Sequence, residues 1–534
     1  MASLNKKNSP FFMAVLLAVG VYIGSKLSTN TTGFYSNSKN SSKLKLNRLI
    51  DYLDYDYVDA VNTDSIVEGV IDNILQNLDP HSTYISKQDI TSVNENMKGD
   101  FIGIGVQFYK YKDTISVIRS IKGGPSFRAG IKAGDRIVTA DSDIIYGPSW
   151  SQDKVIKKLR GPKNSKVRLQ IKRTNIDSLL AFEITRSEVP IKSVDAFYMM
   201  SPTLGYVKIN RFAESTYLEF EKGVNDLLSK GAVNLVLDLR DNPGGFLQIA
   251  EQIADEFLEA GKLILFTKNK SNRINESYAT EKGRFKNAEV YVLINENSAS
   301  ASEIIAGALQ DNDKGTIIGR RSFGKGLVQQ EMGLGDGSAI RLTTARYYTP
   351  TGRSIQRSYL GGSEAYYDSY YKRLEDRKTS QTDSESSVDS LKFTTPKGKI
   401  VYGGGGIIPD IYLPYDAIFN SPLFELLKGT GVLDFFVFEQ LDKQRSRYES
   451  LSKSQFLKEF ELSDSLYQKF ITYLKELTEI TVSEKTTHEY ALKVLLKSGF
   501  VKQLFGDSAA AEVISEIDPI LQKVLEIESL EIVN

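Results

Sequence analysis

The chain has 534 residues, and its 67 Lys plus Arg balance its 67 Asp plus Glu, so it carries no net charge. That balance gives no electrostatic footprint for nucleic acid, and the length predicts roughly three or four domains rather than one core. There is no cysteine and there are two histidines, His81 and His488, which excludes disulfides, thiol nucleophiles, Cys-ligated zinc and a His-rich metal site.

Lys6 and Lys7 precede an apolar run from Phe11 to Gly24, the layout of a signal anchor with residues 1–10 inside and a span over residues 11–28, or of a cleaved signal peptide. Residues 29–45, rich in Ser, Asn, Thr and Lys, read as a linker. Helical spacing follows over residues 46–97, with Leu46, Leu49, Ile50 and Leu53 on one face and then Ile66, Val70, Ile71 and Leu75. Within it, Leu78-Asp79-Pro80-His81-Ser82-Thr83-Tyr84 reads as a Pro-bearing turn.

Residues 98–187 show short alternating runs, such as Ile115 to Ile118 and Val167 to Ile171, between glycine-rich turns, and predict a small β-rich domain. From residue 188 to 415, strand runs (Tyr206 to Ile209, Val233 to Leu239, Val290 to Ile294, Thr316 to Ile318) alternate with helical stretches (Ile249 to Leu258, Glu303 to Leu309). That alternation predicts a layered α/β core. Residues 361–397 are polar and poor in aliphatics apart from Tyr366, Tyr367, Tyr370 and Tyr371, and read as an inserted loop. Residues 416–534 are helical again, with packing stripes at Leu466, Phe470, Tyr473, Leu474 and Leu477 and at Ile517, Leu521, Val524 and Leu525.

Three stretches carry chemistry. In Leu293-Ile294-Asn295-Glu296-Asn297-Ser298-Ala299-Ser300-Ala301-Ser302-Glu303 a buried strand runs through tiny residues into a helix. A serine at such a junction lies beside unpaired N–H groups that can stabilise an oxyanion, although Ser298, Ser300 or Ser302 could equally serve as a plain helix cap. In Ser322-Phe323-Gly324-Lys325-Gly326-Leu327-Val328-Gln329-Gln330 a lysine sits between glycines among apolar neighbours. Burial there would lower its pKa and make it a base for a serine, with Gln329 orienting it. A phosphate-binding lysine loop is the competing reading, but the spacing of the glycines and a following helix are missing. In Leu237-Asp238-Leu239-Arg240-Asp241-Asn242-Pro243-Gly244-Gly245 a strand ends in a turn that can present amides to a cleft, or is simply a tight turn.

Together, and in this order, these stretches resemble the carboxyl-terminal processing, or tail-specific, protease family, S41-type serine peptidases. Arg341 to Gly352 and Ser354-Ile355-Gln356 look like its next signature, and Leu78 to Tyr84 like its N-terminal one. The resemblance implies Ser300 as nucleophile, Lys325 as general base and Gln329 as its orienting partner, with N–H groups of Ala301 and Gly244 or Gly245 as oxyanion hole. Asn297 stands where the family often has glycine. Residues 98–187 resemble a PDZ domain, with Phe101, Ile102, Gly103, Ile104, Gly105 and Val106 as its carboxylate-binding loop, and Arg160 resembles an arginine that couples that domain to the protease.

The implied architecture is multidomain α/β: a crotonase-like, ClpP-like core, an inserted PDZ domain, and helical N- and C-terminal regions. The implied function is cleavage of proteins recognised by exposed C-terminal tails, with no cofactor and no metal. The implied setting is the bacterial inner membrane with the protease in the periplasm, or release there after signal cleavage. An adaptor or a second copy would dock on the helical regions. An inactive PDZ scaffold and a crotonase-like acyl-thioester enzyme are the alternatives. The intact Ser300, Lys325 and Gln329 argue against the first, and the lack of an acyl-carrier or nucleotide motif against the second.

Overall fold

The computed structural model describes residues 14–15, 17–20, 41–379, 391–416, 419, 421–477 and 488–533. Among them no helix is long and apolar enough to cross a membrane, and the span expected over residues 11–28 lies mostly outside the described residues. The chain divides into two compact units, residues 1–73 and 74–534. In the first, helix Ser41–Tyr55 begins inside the stretch expected to be a linker.

The second unit is organised around a six-stranded sheet in the order Val194–Met199, Leu204–Ile209, Asn234–Asp238, Val290–Ile294, Gly315–Gly319 and Ile411–Tyr412. The first pair is antiparallel and every other pair is parallel. A parallel sheet must be covered on both faces, so its strands read as continuous apolar runs. The strand Val290–Ile294 is buried at every position. One face packs on helices Thr216–Ser229, Leu247–Asp255 and Ala301–Asp311, through Val224, Leu227, Ile253, Ile304 and Ile305. The other face, with Tyr206, Val236, Tyr291 and Leu293, is covered by Ile520, Leu521 and Val524 of the C-terminal helix Pro519–Val533.

A second, antiparallel sheet joins Thr83–Ile85, Ala339–Tyr348, Leu263–Asn269 and Ile274–Tyr278, and Leu327–Gly333 also pairs with Ala339–Tyr348. It thereby brings the turn before Thr83 next to the strand that carries Gln329.

The β-rich domain has its own core of Ile104, Ile115, Val117, Ile137, Val167 and Leu169. Its chain enters through Asp100–Gly103 and leaves through Ser187–Pro190, which pair antiparallel as a two-stranded ribbon. The C-terminal helices between Pro422 and Val533 enclose a separate apolar core including Phe436, Leu441, Phe456, Phe470, Leu492 and Phe500. They reach the β-rich domain through Arg136–Asp442 at 2.9 Å and through the rings of Tyr109 and Phe435, 4.9 Å apart.

The inserted segment departs from its expectation. Residues 362–379 form a helix rather than a loop. Its Tyr366 and Tyr370, one turn apart, are buried, which supplies the apolar contact that its few aliphatics do not.

Candidate active site

The local sequence leaves three serines open where the resemblance implies Ser300, and burial separates them. Ser298 and Ser302 are fully buried, and their hydroxyls donate to the carbonyls of Leu239 at 2.8 Å and Asn242 at 2.9 Å. Ser300 is half-buried and forms a capping box with Glu303, and its hydroxyl donates to no carbonyl among the described residues. Ser300 immediately precedes helix Ala301–Asp311 and has φ +55° and ψ −112°, a strained position for a residue with a Cβ. Three bonds hold its backbone there. Its N–H donates to Glu303 Oε2 at 2.8 Å, and its carbonyl accepts from Ile304 N–H at 2.9 Å and from the Tyr347 hydroxyl at 3.2 Å.

The Pro-Gly-Gly turn lies against this serine. A Cβ on Gly244 would come within 2.9 Å of Ser300 Cβ and 2.8 Å of the Ala299 carbonyl, so only glycine fits. Asn242 fastens the turn: its carbonyl accepts from Ala299 N–H at 3.0 Å, and its side chain bridges the Gly244 N–H and the Ile209 carbonyl. The Gly244 amide is therefore engaged by Asn242 Oδ1, which counts against it as a donor to a ligand. The N–H groups of Gly245 and Ala301 have no acceptor among the described residues, Ala301 because it opens its helix.

Asn297, in place of glycine, keeps an ordinary negative φ; the positive angle falls on Ser300 instead. Its amide donates to Asp241 Oδ1 at 2.8 Å, beside Asn295 at 2.9 Å, so the Pro-Gly-Gly turn and the serine loop are tied twice.

Lys325 lies just ahead of strand Leu327–Gly333. Its amine donates to Gln329 Oε1 at 2.7 Å, and no hydrogen bond joins it to Ser300 Oγ in this arrangement. Burial, helped by the positive charge of Arg341, pushes its pKa down to about 8, against the weaker pull of Asp79 and Glu303. Gln329 is itself held, since its amide donates to the His81 carbonyl. His81 stands in a turn shaped by Asp79, whose carboxylate accepts from His81 N–H and Ser82 N–H, each at 2.9 Å, and from the Ser82 hydroxyl at 2.6 Å. Burial, with the charges of Lys325 and Arg357, drives the His81 pKa down to about 3, so its ring is neutral at ordinary pH.

Two positions were not singled out by sequence. Glu303 is fully buried and accepts from Ser300 N–H, Ser322 Oγ, Gly324 N–H and Lys325 N–H at 2.5–2.9 Å. Burial pushes its pKa up, and these four donors oppose that. Its position three residues after Ser300, where a capping carboxylate belongs, was the available signal. The His81 carbonyl carried no signal, because a backbone acceptor is silent in sequence.

The peptide-binding residues expected in the β-rich domain divide between two places. Phe101, Ile102 and Gly103 lie on the connecting ribbon, whereas Ile104 and Gly105 form the loop into strand Val106–Tyr111. That strand ends its sheet, and no strand pairs with its outer edge among the described residues. Among the described residues Arg160 makes no hydrogen bond or ion pair with Ser300, Lys325 or Gln329. It pairs with Glu95 at 2.7 Å, on helix Ile90–Lys98, and lies over the Phe101 ring, so it binds the β-rich domain to the segment that leads into it.

Residues 203–362 match peptidase family S41, residues 103–184 match the PDZ domain family, and residues 423–506 match a family of unknown function. A carboxy-terminal-processing protease of Bartonella bacilliformis is 34% identical over 349 residues, covering 64% of this chain and 80% of the relative. A probable CtpA-like serine protease of Staphylococcus aureus (strain MRSA252) is 35% identical over 315 residues, 58% of this chain and 62% of that relative's length. Among solved structures, a photosystem II D1 C-terminal processing protease is 28% identical with a TM-score of 0.35, covering 59% of this chain and 84% of that one.

Proposed function

Because the chain belongs to the carboxy-terminal-processing proteases of peptidase family S41, we propose that it is an endopeptidase using Ser300 as nucleophile and Lys325 as general base. The observation that carries this reading is the Lys325 amine, lowered to about 8 and held by Gln329, on a segment pinned to the Ser300 loop by Glu303. An amine with that pKa is partly neutral at physiological pH and can accept the Ser300 proton as Oγ attacks a peptide carbonyl. The oxyanion that forms would be met by the N–H groups of Ala301 and Gly245. Lys325 then passes the proton to the leaving amine, and water releases the acyl group from Ser300 by the reverse sequence.

In this reading the substrate is an unstructured protein chain whose C-terminal tail adds along Val106–Tyr111, with its carboxylate at the amides of Ile104, Gly105 and Val106. In this reading the run from Lys6 to Gly24 is an export signal or anchor and the enzyme works on the periplasmic face of a bacterial inner membrane, which fractionation of the full chain would check.

The test is incubation of the portion after residue 40 with an unstructured protein. Cleavage that disappears in Ser300→Ala supports the proposal. Cleavage unaffected by Ser300→Ala sinks the assignment. No cleavage at all, with tail binding retained, leaves the chain as a PDZ scaffold.

A further inference from the structure

We propose that helix Gly362–Thr379 is a buttress for the catalytic segments, with Tyr366 and Tyr370 as positioning residues; this rests on the protease reading above. The helix is strongly polar, yet Tyr366 and Tyr370 are only 1% and 8% exposed. Tyr366 meets Phe323 edge-on and Tyr370 meets it at a tilt, and the Arg357 guanidinium lies over both rings, so the rings dock the helix.

The hydroxyls do something further, because each ends on a segment that carries catalytic chemistry. Tyr366 Oη lies 3.1 Å from His81 Nε2, Tyr367 Oη donates to the Pro80 carbonyl at 3.0 Å, and Tyr370 Oη donates to Asn297 Oδ1 at 2.9 Å. Arg373, one turn on, donates to the Ser322 carbonyl at 3.1 Å. One helix thus grips the turn before Thr83, the loop before Ser300 and the loop before Lys325, three segments far apart in sequence.

Two separate paths run from it to the reacting groups. The first is Tyr366 to His81, whose carbonyl holds Gln329, whose oxygen holds the Lys325 amine. The second is Tyr370 to Asn297, which is tied to Asp241 beside the Pro-Gly-Gly turn and lies three residues before Ser300. Displacing the helix would loosen base and nucleophile together, although no residue on it touches either reacting atom.

Tyr366→Phe and Tyr370→Phe each remove one oxygen and leave the ring, so neither threatens the fold. One neutral hydrogen bond corresponds to about a 2- to 10-fold loss. We expect kcat to fall by that factor in each variant, with KM unchanged. In a Gln329→Ala background, Tyr366→Phe should have no further effect, whereas Tyr370→Phe should keep its full effect, because only the first path passes through Gln329.

Hydrogen exchange supplies a readout that does not need activity. Tyr366→Phe should speed exchange at the amides of His81 and Ser82, and Tyr370→Phe at those of Asn297 and Ser298. Unchanged kcat in both single variants, or an undiminished Tyr366→Phe effect in the Gln329→Ala background, overturns the proposal. Should the unmodified protein cleave nothing, the protease reading fails by itself. Exchange then decides whether the helix braces these segments, and unaltered rates overturn that too.

Discussion

Glu303 and Lys325 are joined through backbone and not as an ion pair: Glu303 Oε2 accepts the Lys325 N–H at 2.9 Å, while the amine turns away to Gln329. A direct carboxylate–ammonium contact would raise the lysine pKa and hold its proton. With the carboxylate occupied by four donors from two loops, burial prevails and the amine moves to about 8.

The arrangement makes Glu303→Gln informative. The substitution keeps shape but replaces one acceptor oxygen by a donor, and on either side that donor faces a backbone N–H that cannot accept: Gly324 at Oε1, beside the Ser322 hydroxyl, or Ser300 and Lys325 at Oε2. Stability should fall by about 1–3 kcal/mol, the usual consequence of a buried donor left unpaired. Cleavage should fall at least as far, because the serine loop and lysine loop lose their shared anchor. Thermal melts and peptide kinetics on one preparation would check both, and unchanged activity in a destabilised variant would mean that Glu303 is structural only.

The pH profile follows if Lys325 is the base, as proposed. Lys325 must be neutral to accept a proton, so kcat/KM should rise with pH, pass its half-maximum near pH 8 and level off above it. Lys325→Arg keeps a charge that cannot be lost and should be as inactive as Lys325→Ala. His81, at about 3, is already neutral throughout this range and would give no such limb. Robust cleavage by Lys325→Arg would assign the base role elsewhere, with His81 the next group to test.

The same shift has a stability consequence. The folded pKa lies below the unfolded value of about 10.4, so the unfolded chain binds more protons between about pH 8 and 10.4, and stability rises with pH across that window. Below it the folded protein carries a constant penalty for a charged, buried amine. Lys325→Met should therefore be inactive yet about 1–3 kcal/mol more stable at neutral pH, at about 1.4 kcal/mol per pKa unit with allowance for residual solvent. Denaturant melts at pH 7 would measure the gain, and a less stable variant would contradict a burial-driven shift.

Tail recognition can be tested without mutation. If the amides of Ile104, Gly105 and Val106 hold a terminal carboxylate, amidating a substrate tail should weaken binding by about 10- to 150-fold, the range of a charge-assisted hydrogen bond. Equal affinity for both tails would mean that the domain reads some other feature.

Truncation after Asp518 should strip the cover from one face of the central sheet. Ile520, Leu521 and Val524 are buried there, and at about 1.5–3 kcal/mol each their loss should amount to roughly 5–9 kcal/mol. The shortened chain should melt far lower or precipitate, and a melting curve like that of the full chain would refute the packing.

The chemical segments were legible because glycine and serine strings report what the backbone must do. The Lys325–Gln329 pairing followed from spacing and is found as a 2.7 Å hydrogen bond. Ser300 was named by the resemblance and not by its local sequence, because all three serines occupy similar surroundings and only the carbonyls of Leu239 and Asn242, which take the other two hydroxyls, distinguish them. The helix over 362–379 was missed because its buried face is built of tyrosine and arginine rather than aliphatics; the signal was Tyr366, Tyr370 and Arg373 at helical spacing. Strand runs of the central sheet were readable as apolar blocks, but their order, with the chain returning at Ile411 to the sheet edge, needs the third dimension.

The ribbon at the neck of the PDZ domain has a topological consequence. Gly103 and Ser187 are register partners, so the chain departs from the core and comes back to it across a single rung, about 5 Å wide in an antiparallel pair. Seen from the core, everything between them is an enlarged hairpin loop. A two-residue turn could span the same rung. The core can therefore close its own ladder whatever occupies that loop, and a recognition domain of another specificity could be grafted between the same two residues without moving the serine or the lysine.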